Sequence, residues 1–161
     1  MFKDNLYKVR RLENSEDIPY QLLLLADETK EAIDRYVFES EIFIVEENGE
    51  IIALYALKAI NSKQIEIKNI AVQADLQGQG IGSFLLNDAF ERAKDLGFQS
   101  LLIGTGDASL RQLALYQSKG FEKYEVVKDF FIDNYPEAIH ENGIQLKDMI
   151  ILEKKIRSEL C

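Results

Sequence analysis

Cysteine is almost missing: the single one, Cys161, ends the chain, so neither a disulfide framework nor a cysteine-based metal site is open to it. Only two prolines occur, and 47% of residues are hydrophobic, which argues against a disordered polymer. No run approaches the roughly 20 consecutive apolar residues that span a bilayer. Met1-Phe2-Lys3-Asp4 lacks the charged and apolar regions of a secretion signal, so a cytoplasmic protein is expected. Dense basic blocks are lacking too. Lys8-Arg10-Arg11 and Lys154-Lys155-Arg157 are small clusters in a chain of formal charge −9, and neither nucleic acid nor a membrane is an expected partner. The 161 residues suit one domain, 1–161, with a sizeable core.

What is present reads as alternating strands and helices. Lys8 to Leu12 suits a first strand. Ile18 to Phe38 carries apolar residues near helical spacing and fits one long helix or two short ones. Glu41 to Glu46 and Ile51 to Ile60 are β-like runs around Asn48-Gly49, a hairpin signal because both residues tolerate positive φ. Ile65 to Val72 is the next strand. Gly80 to Leu96 then repeats apolar residues at helical spacing, with Gly97 to end it. Ser100 to Ile103 reads as a short buried strand, and Leu110 to Ser118 as a helix that Asp107-Ala108-Ser109 can cap. Phe121 to Phe131 and Met149 to Ile156 read as strands around an irregular stretch, Asp133 to Gly143. This order predicts an α/β (α+β) domain. Its sheet is mixed, with a parallel pair in the middle, antiparallel ends and helices on both faces.

The glycine run Gln77-Gly78-Gln79-Gly80-Ile81-Gly82 lies between a strand and a helix, where backbone N–H groups and the helix dipole suit an anion. A dinucleotide fingerprint needs one more residue before its third glycine, and an ATPase loop needs a lysine that is missing before Ser83. Two readings stay open on spacing alone: a pyrophosphate cradle for a coenzyme, or a turn demanded by tight packing.

Further residues bear on that choice. Ile67 to Val72, with its Ala71-Val72 ending, leads into the glycine run, and Leu115-Tyr116-Gln117-Ser118-Lys119-Gly120-Phe121 follows it. Together they resemble the GCN5-related N-acetyltransferase (GNAT) family. Its motifs are Gln/Arg-x-x-Gly-x-Gly/Ala and, further along, Leu-Tyr-x-x-x-Gly-Phe. The likeness runs over about residues 41–131. Where the family often carries an asparagine on the coenzyme, seven residues before the tyrosine, this chain has Ser109.

The resemblance implies a GNAT fold whose sheet is mostly antiparallel and twisted, with its central parallel strands splayed, and acetyl-CoA as cosubstrate in the gap. Ile70, Ala71 and Val72 would hold the pantetheine arm, with the N–H of Ile70 or Val72 polarising the thioester. Gln77, Gly78, Gln79, Gly80, Ile81, Gly82 and Ser83 would cradle the phosphates, and Ser109 would add a contact. Tyr116 is the candidate general acid, and Glu66 the candidate base acting through a water. Strict alternation puts Glu66, Lys68 and Ile70 on one face of their strand, and Ile65, Ile67 and Asn69 on the other.

The expected reaction moves an acetyl group directly to a primary amine on a small molecule or peptide. A non-catalytic acyl-CoA-binding or regulatory module on the same fold is the alternative. Ile18 to Phe38 and Phe130 to Gly143 are the expected acceptor walls; the latter holds Phe131, Asp133, Tyr135, Glu137, His140 and Glu141. One histidine makes no metal site, and none is expected. The family resemblance also allows a homodimer.

Overall fold

The computed structural model describes residues 7–156; Cys161 and Arg157 lie outside them. Strand β1 (Val9–Arg11) is followed by two short helices, α1 (Tyr20–Leu23) and α2 (Lys30–Asp34). Thr29 caps α2, its hydroxyl accepting the N–H of Ala32 at 3.1 Å. Of the two arrangements expected for Ile18 to Phe38, short helices are the outcome, with a final 3-10 turn at Val37–Glu39.

Strands β2 (Glu41–Glu47) and β3 (Glu50–Ala59) form the expected hairpin. Asn48 and Gly49 both take positive φ, 54° and 78°, as the tight turn requires. After β4 (Gln64–Val72) come α3 (Ile81–Asp95), β5 (Ser100–Gly106) and α4 (Leu110–Ser118). The chain then forms β6 (Glu122–Val127), α5 (Phe130–Asn134), β7 (His140–Glu141), β8 (Ile144–Gln145) and β9 (Met149–Lys155).

Two sequence expectations need correction. The strand expected over Phe121 to Phe131 stops at Val127, because Asp129 turns left-handed (φ 57°) and opens α5. The stretch expected to be irregular contains the end of α5, and β7 with the turn that leads it into β8.

Seven strands make one sheet in the order β1-β2-β3-β4-β5-β9-β6, antiparallel except for the central pair β4–β5. Its face toward α3 and α4 buries Ile65, Ile67, Leu85, Ala89, Leu113 and Phe121. The face toward α1 and α2 buries Leu23, Ile33, Ile44, Leu54 and Ala71. A polar tie locks α3 to β3: the Tyr55 hydroxyl donates to Asp88 Oδ2 at 2.6 Å and accepts from Arg92 Nε at 3.0 Å. Arg92 also stacks over the Phe43 ring, 4.1 Å from its centroid.

The decisive irregularity is in β4. Opposite β3, Ile67 pairs with Leu57 and Asn69 with Ala56, so Lys68 is an extra residue, a β-bulge. Strict alternation therefore fails beyond Ile67. Ile65 and Ile67 pack toward α3, but after the bulge Ile70 and Val72 take that side, and Asn69 and Ala71 turn toward α1 and α2. On the other side of β4, pairing with β5 runs only from Gln64–Ser100 to Ile67–Ile103. Past that point the two parallel strands diverge.

Candidate active site

The divergence opens a cleft of about 400 Å³, within the ordinary range for small-ligand sites. Lys68, Asn69, Ile70, Ala71 and Val72 of β4 form one wall, and Ile103, Gly104, Thr105 and Gly106 of β5 the other. Beyond Ile67 the β4 edge that faces β5 has no ladder partner, which leaves it open to an inserted chain-like ligand, although the Val72 carbonyl accepts from Gln77. The glycines keep the β5 wall low. A Cβ on Gly106 would stand 2.7 Å from Leu146 Cδ2 and 2.9 Å from Ser109 Oγ.

At one end lies the glycine loop. Gly78 and Gly80 adopt φ of 80° and 92°, which only glycine takes without strain, and Gly80 leads directly into α3. Gln77 explains itself: its Nε2 donates to the Val72 carbonyl at 3.0 Å, tying loop to strand end. Of the loop, Gln77 and Gly82 line the cleft itself. Gly78, Gln79 and Gly80 are exposed beside it, Ser83 is half-buried, and the Ile81 side chain is committed to the core, leaving only its backbone to serve a ligand.

Helix α4 brings Ser109, Gln112, Leu115 and Tyr116 to the cleft. Ser109 is buried and starts the helix, but its side chain makes no capping bond, contrary to the expectation for this position. Asp107 does not cap either; its Oδ1 accepts the Lys147 N–H at 3.1 Å. Tyr116 is 7% exposed, with its ring 6.2 Å from that of Phe121. Burial pushes the phenol up to about 12, so it keeps its proton at neutral pH.

Glu66 does not line the cleft. Its carboxylate sits 3.5 Å from Lys68 Nζ, and Lys68 faces the opening.

The opposite wall comes from both expected segments: Leu25, Ala26, Asp27 and Glu28 after α1, then Phe131, Tyr135 and Glu141. Asp133, Glu137 and His140 stay outside it. Asp27 joins the halves. Its Oδ1 accepts from the Tyr135 hydroxyl at 2.6 Å and the Glu28 N–H at 2.7 Å, and its Oδ2 from the Tyr36 hydroxyl at 3.0 Å. Burial, together with this carboxylate, raises the Tyr135 phenol, and burial dominates at Tyr36.

Sequence reading did not single out Asp27 within its expected wall, and it missed Asn69, Gln112 and Gly104-Thr105-Gly106 as cleft residues. The last carries a usable signal, two glycines ending an apolar strand. Asp27 and Asn69 look like any polar residues of a helical segment and a strand.

Comparison with known proteins shows which family has this fold and sequence. Residues 6–121 match the model of the Acetyltransferase (GNAT) family. The chain belongs to that family. A GNAT family acetyltransferase from Elizabethkingia anophelis, crystallised with acetyl-CoA bound, is 46% identical, with a TM-score of 0.91 over 96% of this chain and all of that one. A Bacillus subtilis acetyltransferase solved in complex with CoA is 40% identical, with a TM-score of 0.86, covering 94% of this chain and 99% of its own. The Uncharacterized N-acetyltransferase YvbK of Bacillus subtilis strain 168 is 43% identical over 87% of this chain and 90% of its own. This GNAT acetyltransferase uses acetyl-CoA as its cosubstrate, and its splayed sheet is the family fold. Among the described residues, no helix is long and apolar enough to cross a membrane.

Proposed function

We propose that the enzyme transfers acetyl directly from acetyl-CoA to the primary amine of a small-molecule or peptide acceptor. The observation that carries this is Tyr116: a buried, protonated phenol on the wall of the gap between β4 and β5. The unpaired β4 edge at Ile70 to Val72 suits the pantetheine amides, and an N–H there polarises the thioester carbonyl. The backbone of Gln77 to Ser83 and the start of α3 suit the phosphates, with Ser109 a further contact from α4.

In the reaction the amine nitrogen bonds to the carbonyl carbon and the carbon–sulfur bond breaks. Tyr116 gives its proton to the departing thiolate. The proton leaving nitrogen passes to Glu66 through water, since that carboxylate stands behind Lys68. We place the reaction in the cytoplasm, where acetyl-CoA is supplied.

A thiol-release screen over small amines, polyamines, aminosugars and peptides tests the proposal, with calorimetry for coenzyme A binding alongside. Binding without turnover of any amine would favour the non-catalytic module instead. E66Q should lose activity most at low pH, where the amine most needs a proton acceptor; an unchanged pH profile removes Glu66 from the mechanism.

A further inference from the structure

The extra residue in β4 needs something to hold it. A bulge leaves one residue outside the ladder, and pairing of a strand can slip along its length. Both residues at the slip, Lys68 and Asn69, are held here by one side chain, Tyr36. Asn69 Nδ2 donates to the Tyr36 hydroxyl and to the Leu23 carbonyl, each at 3.0 Å. The Lys68 ammonium stands over the Tyr36 ring, 5.6 Å from its centroid, with Glu66 3.5 Å away.

The direction of each bond in this clasp follows from its neighbours. Burial raises the Tyr36 phenol, so it keeps its proton and donates it to Asp27 Oδ2 at 3.0 Å. Its oxygen is then left as an acceptor, and the Leu23 carbonyl can only accept, so both call for the Nδ2 of Asn69. That orientation leaves Asn69 Oδ1 buried without a hydrogen-bond partner among the described residues, a cost that the two donated bonds offset. Tyr36 is itself fixed. It is 7% exposed, its N–H donates to the Ile33 carbonyl at 3.1 Å, and its carbonyl accepts from the Ser40 hydroxyl at 2.6 Å.

Alternate residues of a strand point their N–H groups to opposite edges. Moving the extra residue past Ile70 would therefore exchange which N–H groups face the cleft. Ile70 follows Asn69 directly and pairs with Tyr55 once the phase has shifted. Resting on the reading that an N–H of Ile70 or Val72 polarises the thioester, we propose that Tyr36 is a positioning residue, which locks the bulge at Lys68 and so aims that N–H at the carbonyl. Tyr36 does not line the cleft; it acts through Lys68 and Asn69, which do.

The test is isotope-edited infrared spectroscopy of acetyl-CoA, labelled at its thioester carbonyl and bound without an amine, with calorimetry of coenzyme A alongside. Coenzyme A lacks that carbonyl, so its affinity reports the rest of the donor site. In the parent the carbonyl band should lie below that of free acetyl-CoA, as for an oxygen that accepts from a fixed N–H. Y36F keeps the ring under Lys68 but drops the bonds to Asn69 and Asp27. It should lose about half or more of the downshift and bind coenzyme A within about twofold of the parent. N69A breaks the same clasp from the other side and should do likewise, which keeps the test alive if Y36F fails to fold. Y135F frees Asp27 on one side but leaves Asn69 on Tyr36, and should keep the parental band. A folded Y36F or N69A with the parental band overturns the clasp, as does a downshift lost equally in Y135F. A parent whose bound acetyl-CoA shows no downshift removes the polarising N–H itself, and the role of Tyr36 with it.

Discussion

Tyr135 donates a 2.6 Å hydrogen bond to Asp27 across 108 residues of sequence. With Arg35 Nη1 donating to the Asn134 carbonyl at 3.1 Å, it closes the end of α5 onto the segment between α1 and α2 and onto the end of α2. This wall of the cleft is thus one unit made of two distant pieces.

Removing that link should loosen the wall without emptying it. In Y135F the hydroxyl is lost and the ring kept, still stacked on Phe131 at 5.8 Å. The expected cost is about 1–2 kcal/mol in urea unfolding, a single bond to a carboxylate. The KM for the amine should rise and the KM for acetyl-CoA should stay near the parental value.

Tyr116→Phe should lower kcat by roughly a hundredfold or more, the usual contribution of a positioned acid. Coenzyme A affinity, read by calorimetry, should change little, because the ring still fills its site between α4 and Phe121. A kcat near parental in a folded variant removes Tyr116 from the chemistry.

The same phenol gives a pH signature. Folding raises it from 10.0 to about 12, so the folded state holds its proton more tightly than the unfolded one. Its stabilisation is complete below pH 10 and fades as pH climbs toward 12. Comparing urea midpoints of the parent and Y116F over that alkaline window should show the parent losing stability relative to Y116F.

Gly80→Ala tests the loop. Nothing lies within 4 Å of the added Cβ, so the penalty is backbone strain at φ 92°, roughly 1–2 kcal/mol. Because the strained residue leads directly into α3, coenzyme A affinity should drop together with thermal stability.

Gly106→Ala tests the β5 wall, where the new methyl meets Leu146 at 2.7 Å. Overpacking of this kind costs about 1–3 kcal/mol. Ligand affinity should fall, since Gly106, Ser109 and Leu146 all face the cleft.

Much of the molecule was legible because its causes are local. Asn48-Gly49 makes its turn wherever it occurs, Gly97 ends α3 with φ 88°, and the bounds read for Leu110 to Ser118 are those of α4. The bulge at Lys68 was not legible. Glu66 to Asn69 gives no sign of slipping phase, and only the pairing of β4 against β3 reveals the extra residue. The same limit explains the end of β6, which follows the turn at Asp129 and the start of its partner β9 at Met149.

The sequence by itself was enough to point to the family and, with it, to acetyl-CoA as cosubstrate. The glycine loop and the Leu115-Tyr116 motif are contiguous, so their chemistry travels with their spacing. Tertiary structure alone decided which residues stand on the far wall of the cleft. Asp27, Tyr36, Asn69 and Tyr135 carry no motif, and they meet only because the bulged strand and two short segments fold onto one another.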